Sequence, residues 1–369
     1  MQAPAVTPLR VGMLYDYPQG DAGALAERAV RLGIADATSR RPLDRPVELV
    51  PVHARGLPIG SEHELIGAFD DLASSGVLAI VGPSISDNCL IARERADVHR
   101  VPTINYSGGE RTRSEWMFHF QIGSLELEPL LIAERCATRR LRRCAVVFDQ
   151  SPVGRRYADR FAAASIDCDL TITAMIAVAS LAEDLTAAIE TLYRSDADVV
   201  IYLGLGVASR AVALALAARR WEVPVIANSA LMFGYARPDW RDGWAGWEYL
   251  DQVDDANPVR TALAARDRAV AAGPIGCGLY DIGQLLGRAL GSCEHLTRSG
   301  VADALRDVKR MPTATGPPGT RMGFGAWDHG ALSGDFLVVR QWKAGRSAPA
   351  DRPESDASDV KPKPSPADA

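Results

Sequence analysis

Short apolar runs alternate with longer amphipathic stretches through most of this chain, first over residues 9–121 and again over residues 124–250. Alternating strands and helices predict parallel sheets that are covered by helices on both faces. The expected fold class is therefore α/β, with two doubly wound parallel-sheet lobes. We assign the chain to lobe 1 over residues 8–121 and 253–325, and to lobe 2 over residues 122–252 and 326–343.

The segment Val77–Ser86 predicts a binding site within the first stretch. A buried strand runs directly into Gly82-Pro83, and Ser84 and Ser86 follow where a helix begins. In parallel sheets, ligands bind at the carboxyl ends of strands, where helix N-termini present free N–H groups. The two hydroxyls and these N–H groups can hold a carboxylate or an amide oxygen. The alternative is that the two serines only cap the helix.

Composition limits the classes of partner. The 369 residues are 47% apolar and 24% charged, with a net charge of −5, as in a globular protein of about two domains. No basic stripe is present, so we expect no nucleic-acid partner. No apolar run approaches the ~20 residues that span a bilayer, so we expect no membrane insertion.

The ends of the chain carry two further expectations. Residues 1–10 lack a basic region followed by an apolar core, so the sequence as it stands predicts no secretory signal and a cytoplasmic protein. A true start further upstream would instead make it periplasmic or extracytoplasmic. Residues 345–369 are rich in Pro, Ser, Asp and Lys, and this composition predicts a disordered tail.

Motifs of catalysis are weak or missing. His63-Glu64 resembles the start of a zinc-protease helix, but Gly67 stands where the second histidine would be. The stretch 204–209 lacks the third glycine of a dinucleotide loop, and no GxSxG or Walker A sequence occurs. The six cysteines form no CxxC pair, so we expect buried thiols, with one disulfide in an exported form as the alternative. We therefore expect no catalytic residue, no metal and no cofactor.

Four motifs carry a resemblance to a known family. They are AIVGPS at 79–84, VPTINYS at 101–107, GLYDIG at 278–283, and GFGAWDHG at 323–330 followed by GDFLVVRQW at 334–342. In this order and spacing, residues 8–343 resemble the type I periplasmic binding protein fold. Within that fold the chain is similar to the leucine/isoleucine/valine-binding protein family of ABC-transporter solute receptors.

The resemblance implies two lobes that are joined by three chain crossings and close around a ligand by a hinge motion. The implied function is a receptor for an amino-acid-like or amide-like small molecule, with an ABC permease as partner. The alternative is a cytoplasmic ligand-sensing regulator on the same fold, resembling the amide-responsive regulators and acting on a regulatory partner; an enzyme is the third possibility. The candidate ligand-binding residues are Tyr15, Asp16, Ser84, Ser86, Asn105, Ser107, Gln150, Ser229 and Tyr280.

The loop at residues 228–231 departs from the family pattern. Amino-acid receptors of the family place an acidic residue in this loop to hold the ligand ammonium, and here it reads Asn-Ser-Ala-Leu. A buried ammonium without a charged partner is costly, so we expect leucine to bind weakly or not at all unless another carboxylate substitutes. Asp16 is the preferred substitute, because it follows a strand between two tyrosines, although it also suits a turn or helix cap. The other two are Asp281 and Glu248. Aromatic side chains that suit a flatter ligand are Tyr15, Tyr17, Phe233 and Tyr280.

Overall fold

The computed structural model describes residues 7–17 and 21–350. The strands are β1 (Leu9–Tyr15), β2 (Val47–His53), β3 (Ala79–Val81), β4 (Thr103–Ser107), β5 (Met117–Gln121), β6 (Arg143–Asp149), β7 (Thr171–Val178), β8 (Val199–Leu203), β9 (Val225–Ala227), β10 (Glu248–Asp251), β11 (Met311–Pro312), β12 (Arg321–Met322), β13 (Leu332–Ser333), β14 (Val338–Lys343) and β15 (Arg346–Pro349). The helices are α1 (Asp21–Thr38), α2 (Glu62–Ser74), α3 (Ser86–His99), α4 (Glu128–Thr138), α5 (Pro152–Asp167), α6 (Thr186–Tyr193), α7 (Ser209–Arg219), α8 (Pro238–Arg241), α9 (Pro258–Arg266), α10 (Pro274–Ser292) and α11 (Arg298–Asp307).

Lobe 1 is built on a parallel sheet with the strand order β2-β1-β3-β4-β5. The apolar strand β1 lies inside this sheet and is buried on both faces, as parallel strands usually are. Val11 and Met13 pack under α1 and α10, whereas Leu14 packs under α2 on the opposite face. Helices α1 and α10 cross closely at Gly33, where a Cβ atom would lie 2.0 Å from the Tyr280 carbonyl oxygen.

Lobe 2 is built on a larger sheet with the strand order β15-β14-β10-β9-β8-β6-β7. The strands from β10 to β7 are parallel, and β14 and β15 extend the other edge in antiparallel fashion. Helices α6 and α7 cover one face, and α4 and α5 cover the other. The two doubly wound lobes confirm the predicted fold class.

Two of the expected boundaries differ from the structure. Residues 326–333, which we assigned to lobe 2, remain with lobe 1, because β13 pairs with β12 and Gly330 bridges to His119 of β5. Residues 346–349, which we expected in a disordered tail, form β15 against β14. Ala344 and Gly345 make this turn with positive φ angles of 47° and 70°. Residues 351–369 lie outside the described residues.

Three chain crossings join the lobes, after β5, after β10 and after β13. Two glutamine side chains tie the crossings together. Gln252 donates from Nε2 to the Gln121 carbonyl at 2.9 Å and accepts from the Gly123 N–H at 2.8 Å. The Gln121 side chain accepts from the Leu332 N–H at 2.9 Å and donates to the Leu332 carbonyl at 3.2 Å. The side-chain amides of Gln121 and Gln252 therefore connect the segments next to all three crossings.

All six cysteines are free thiols. Four of them are fully buried, and Cys168 and Cys293 are half-buried. This arrangement matches the expectation of small buried residues. Across residues 7–17 and 21–350, no helix combines the length and the apolar character needed to cross a bilayer.

Candidate functional site

The carboxyl ends of the two sheets lie on either side of the boundary between the lobes, which we call the cleft. Helix α3 follows β3 in lobe 1 and contacts α5, which follows β6 in lobe 2. In the loop after β4, a Cβ atom on Gly108 would lie 3.5 Å from the Tyr157 hydroxyl oxygen of α5. The loop that follows the predicted Ser107 therefore lies where the lobes approach each other.

Asp16 and Ser84 form one unit at the lobe 1 side of this cleft. The buried Asp16 carboxylate accepts from the Ser84 N–H at 2.9 Å, the Ser84 hydroxyl at 2.6 Å, the Ile85 N–H at 2.8 Å and the Asn88 Nδ2 at 2.9 Å. A carboxylate has about four acceptor positions, and here the protein itself fills four. Asp16 thus occupies the N–H and hydroxyl cradle that the sequence assigned to a ligand oxygen.

Gly82 allows this unit to form. Its φ angle is 108°, and a Cβ atom there would lie 2.1 Å from the Leu14 carbonyl oxygen. Only glycine fits this close approach, which brings the loop after β3 beside the end of β1.

Asn105 and Ser107 belong to an internal network below the cleft. The Ser107 hydroxyl donates to Asn105 Oδ1 at 2.9 Å, and Asn105 Nδ2 donates to the Phe118 carbonyl at 3.2 Å. The Ser107 carbonyl accepts from His119 Nε2 at 2.7 Å, while His119 Nδ1 accepts from Arg113 at 3.2 Å. Burial lowers the pKa of His119 to about 3, so the imidazole is neutral at physiological pH.

Ser229 of lobe 2 contacts a carboxylate that the sequence did not reveal. Glu128, the first residue of α4, is fully buried and accepts from the Ser229 hydroxyl at 2.9 Å and from the Tyr157 hydroxyl at 3.1 Å. It also accepts from the N–H groups of Ser124 and Ser229. Burial raises the pKa of Glu128 to about 7, and these donors act against the shift. No local pattern distinguishes this glutamate from an ordinary acidic residue at a helix start.

Asp149 holds the neighbouring loop of lobe 2 in the same way. It accepts from the Tyr202 hydroxyl at 2.9 Å and from the Leu205 N–H at 2.6 Å. Burial raises the pKa of Asp149 to about 6. A Cβ atom on Gly204 would lie 2.3 Å from the Asp149 carboxyl carbon, so glycine is required in the turn after β8.

Ser86 and Asp87 begin α3 at the cleft. A Cβ atom on Gly109 would lie 3.6 Å from the Ser86 hydroxyl oxygen, so this serine lies against the loop after β4. Asp87 is only 8% exposed, and among the described residues its Oδ1 atom has no hydrogen-bond partner. Burial raises the pKa of Asp87 to about 6, and Arg156 of lobe 2 lowers it in part.

Aromatic rings gather beyond the end of β1. The Tyr15 ring lies 5.4 Å from Tyr17 and 4.9 Å from His53, measured between ring centroids. Burial raises the pKa of the Tyr15, Tyr17 and Tyr106 hydroxyls above the usual value. The buried Tyr106 hydroxyl interacts with the Tyr17 hydroxyl. In lobe 2, Phe233 is 45% exposed and packs against Gly206.

One candidate, Tyr280, lies away from the others, and Gln150 is at the exposed end of its strand. The Tyr280 hydroxyl donates to Asp36 at 2.7 Å, near the far end of α1, which begins at the cleft and runs away from it. Gln150 follows β6, but its side chain is exposed.

The two other carboxylates considered as partners of a ligand ammonium are engaged elsewhere. Asp281 accepts from the N–H groups of Ala314 at 2.8 Å and Thr315 at 3.0 Å. Glu248 is paired with Arg135 at 2.9 Å and with Arg139 at 2.7 Å. Neither is therefore free to replace an acidic residue in the 228–231 loop. Across residues 7–17 and 21–350, no cluster of His, Cys, Asp and Glu side chains could hold a metal ion.

Comparison with known families gives one match that covers most of the chain. The family model described as periplasmic binding protein matches residues 8–346. No curated protein sequence matches the chain.

Solved structures with the same fold include three that align over nearly their whole length. A type 1 periplasmic binding protein from Bordetella pertussis Tohama I has a TM-score of 0.79 at 17% identity, covering 93% of this chain and 100% of that one. A leucine-binding protein from Thermotoga maritima has a TM-score of 0.77 at 16% identity, covering 92% and 97%. An ABC-transporter solute-binding protein from R. palustris in complex with 4-hydroxybenzoate has a TM-score of 0.77 at 12% identity, covering 94% and 96%.

Proposed function

The chain belongs to the periplasmic binding protein family, and from this premise we propose that it binds a small polar solute between its lobes and releases it unchanged. One observation carries the proposal: the carboxyl ends of two parallel sheets lie on either side of the cleft, and three crossings join the lobes. Such an arrangement can close on a ligand and open again by small backbone changes at the crossings.

The interior of the cleft supports binding and not only packing. One polar atom near it, Asp87 Oδ1, is buried without a hydrogen-bond partner among the described residues. Buried polar groups are nearly always hydrogen-bonded, so this atom is an expected contact for a solute or for water. The loops around the cleft are held in place by Asp16, Glu128 and Asp149, which favours a preformed site.

The proposal also concerns the protein partner and the cellular compartment. Structural neighbours include solute-binding proteins of ABC transporters, and this supports an ABC permease as the receiving partner. A role in uptake would require the protein to lie outside the cytoplasm. This differs from the cytoplasmic location that the first ten residues predict. Cell fractionation tests this point: recovery in the cytoplasmic fraction alone would contradict a transport role.

Native mass spectrometry of protein purified without added solute tests the function itself. We expect a non-covalent adduct that is lost when the same sample is denatured. Incubation with the identified solute should return it with its mass unchanged. A product of different mass would indicate an enzyme. Absence of an adduct, together with no thermal shift from amino acids, amides, amines or aromatic acids, would contradict solute binding.

A further inference from the structure

Several hydrogen-bond donors at the cleft already bind carboxylates of the protein itself. In lobe 1, the N–H groups of Ser84 and Ile85 already bind the Asp16 carboxylate. In lobe 2, the Ser229 and Tyr157 hydroxyls donate to Glu128. These donors are used by the protein's own carboxylates, so an incoming carboxylate would find them occupied and would meet like charge.

Asp87 differs from the other carboxylates at this edge. It lies on the first turn of α3 and is more than nine-tenths buried, and in residues 7–17 and 21–350 nothing donates to its Oδ1 atom. The helix end stabilises its negative charge but supplies no bond to that atom. A buried acceptor without a donor is rare in folded proteins, which marks the position as one where a ligand contact is missing.

The charged side chains near Asp87 do not supply a hydrogen-bond donor to its Oδ1 atom. Arg156 of α5 acts on it from the opposite lobe, but this guanidinium already binds Glu126 at 2.9 Å. Arg111 and Arg160 also lie close enough to influence Arg156. No ion pair of Asp87 itself occurs within the described residues.

We propose that Asp87 accepts a hydrogen bond from a nitrogen of the solute, so that the cleft takes molecules that present an amide or a protonated amine to the start of α3. A solute that presents a carboxylate there is disfavoured, because it would meet the negative charge of Asp87, and the N–H groups of Ser84 and Ile85 already bind Asp16. The inference rests on the proposed function and concerns the same cleft.

Matched probes test the proposal. Two triples differ only in the polar group: benzamide, benzylamine and benzoate, and isobutyramide, isobutylamine and isobutyrate. Thermal shift and titration calorimetry are run on the wild-type protein, on Asp87→Ala and Asp87→Asn, and on Glu94→Gln. Glu94 is an exposed residue of the same helix and serves as the control.

We expect the amide or amine of at least one triple to bind about tenfold or more tightly than its carboxylate. Asp87→Ala should weaken that binding by about tenfold or more, whereas Glu94→Gln should leave it unchanged. Asp87→Asn should weaken the amine more than the amide, because only the amine loses a charge partner. The melting temperature without probe should change little in either Asp87 variant, because the acceptor they remove has no donor and one charge at a helix end contributes little to stability.

Two results would overturn the inference and leave solute binding intact: a carboxylate that binds at least as tightly as its amide and amine, or an Asp87→Ala variant with unchanged affinity. If no probe binds, the inference also fails. The proposed function is then judged separately by native mass spectrometry, because a retained solute of other chemistry would keep it.

Discussion

Asp16 shows how a single carboxylate can order the cleft. It is buried at the end of β1 and connects to the loop after β3, which lies next to it in the sheet. Its four donors come from the loop and from the first turn of α3. These hydrogen bonds therefore stabilise the conformation of the loop. The Asp16 carboxylate has no acceptor position left for a ligand ammonium.

Replacement of Asp16 by Ala should destabilise the protein strongly. The change leaves the N–H groups of Ser84 and Ile85 and the Asn88 amide without their acceptor inside the fold. We expect a loss of about 2–4 kcal/mol in the free energy of unfolding. Urea unfolding measures it, with the exposed Asp44→Asn as the control. A loss no larger than that of the control would show that Asp16 does not hold the loop.

Glu128 predicts a pH dependence of stability. Its pKa is raised from 4.5 to about 7 by burial, so the folded state binds the proton more tightly than the unfolded state. The stability that it contributes is therefore fully present below about pH 4.5 and is lost as the pH rises to about 7. Between these limits, wild type should lose up to about 1.4 kcal/mol per pH unit relative to Glu128→Gln.

Urea unfolding of both proteins between these two pH values gives the difference directly. Asp87 and Asp149 also have a raised pKa, but they are present in both proteins and cancel. Glu134→Gln, an exposed change on the same helix, should run parallel to wild type. A Glu128→Gln curve that is also parallel to wild type would contradict the assignment.

Several positions at strand ends are predictable from the sequence, but their hydrogen-bond partners are not. Asp16, Ser84 and Ser229 were identified because each follows a predicted strand, and the structure places each after such a strand. Glu128 was missed because its burial comes from contacts with Ser229, which is about one hundred residues away in the chain. Asp87 was passed over because an acidic residue at a helix start is ordinary, and only its missing hydrogen-bond partner sets it apart.

At the scale of elements, the strands near the crossings could not be placed from local sequence patterns. The alternating sequence pattern predicts the strands and helices on both sides of each crossing, because a parallel sheet must bury both of its faces. The place of β13 depends instead on a pairing with β12 and on the bridge from Gly330 to His119. The sequence of β15 is typical of a polar tail. In the structure, Ser347 of this strand forms hydrogen bonds with Tyr249 and Arg340. Such pairings are tertiary and leave no periodic signal.

Gln252 should act as a clamp on the crossings. Its side chain bonds both to the Gln121 carbonyl and to the Gly123 N–H, and it is fully buried. Replacement by Ala removes both bonds, and we expect a loss of about 1–3 kcal/mol in the free energy of unfolding. The Gly123 amide should then exchange its hydrogen faster, because the crossing after β5 opens more often.

Hydrogen exchange followed by mass spectrometry on the peptide that spans the first crossing measures this opening. Gln341→Ala is a matched control: Gln341 also donates to a backbone carbonyl, that of Gly246 at 2.7 Å, but lies wholly within lobe 2. Exchange at Gly123 that is equal in the two variants would show that the clamp does not hold the crossing.

For the whole molecule, function depends on how closely the two lobes can approach. Gly108 in lobe 1 and Tyr157 in lobe 2 mark the contact, because a Cβ atom at position 108 would lie 3.5 Å from the tyrosine hydroxyl. That distance is an ordinary van der Waals contact, so Ala fits. A larger side chain has no such room and should act as a wedge between the lobes.

Replacement of Gly108 by Leu should therefore hold the lobes apart, while Gly108→Ala should behave as wild type. We expect a larger radius of gyration in solution scattering for the Leu variant, and loss of the adduct that native mass spectrometry detects in wild type. Each lobe keeps its own cores, so circular dichroism should show unchanged secondary structure. If the Leu variant scatters as wild type and retains the adduct, the lobes do not close at Gly108, and the solute must bind without the contact between α3 and α5.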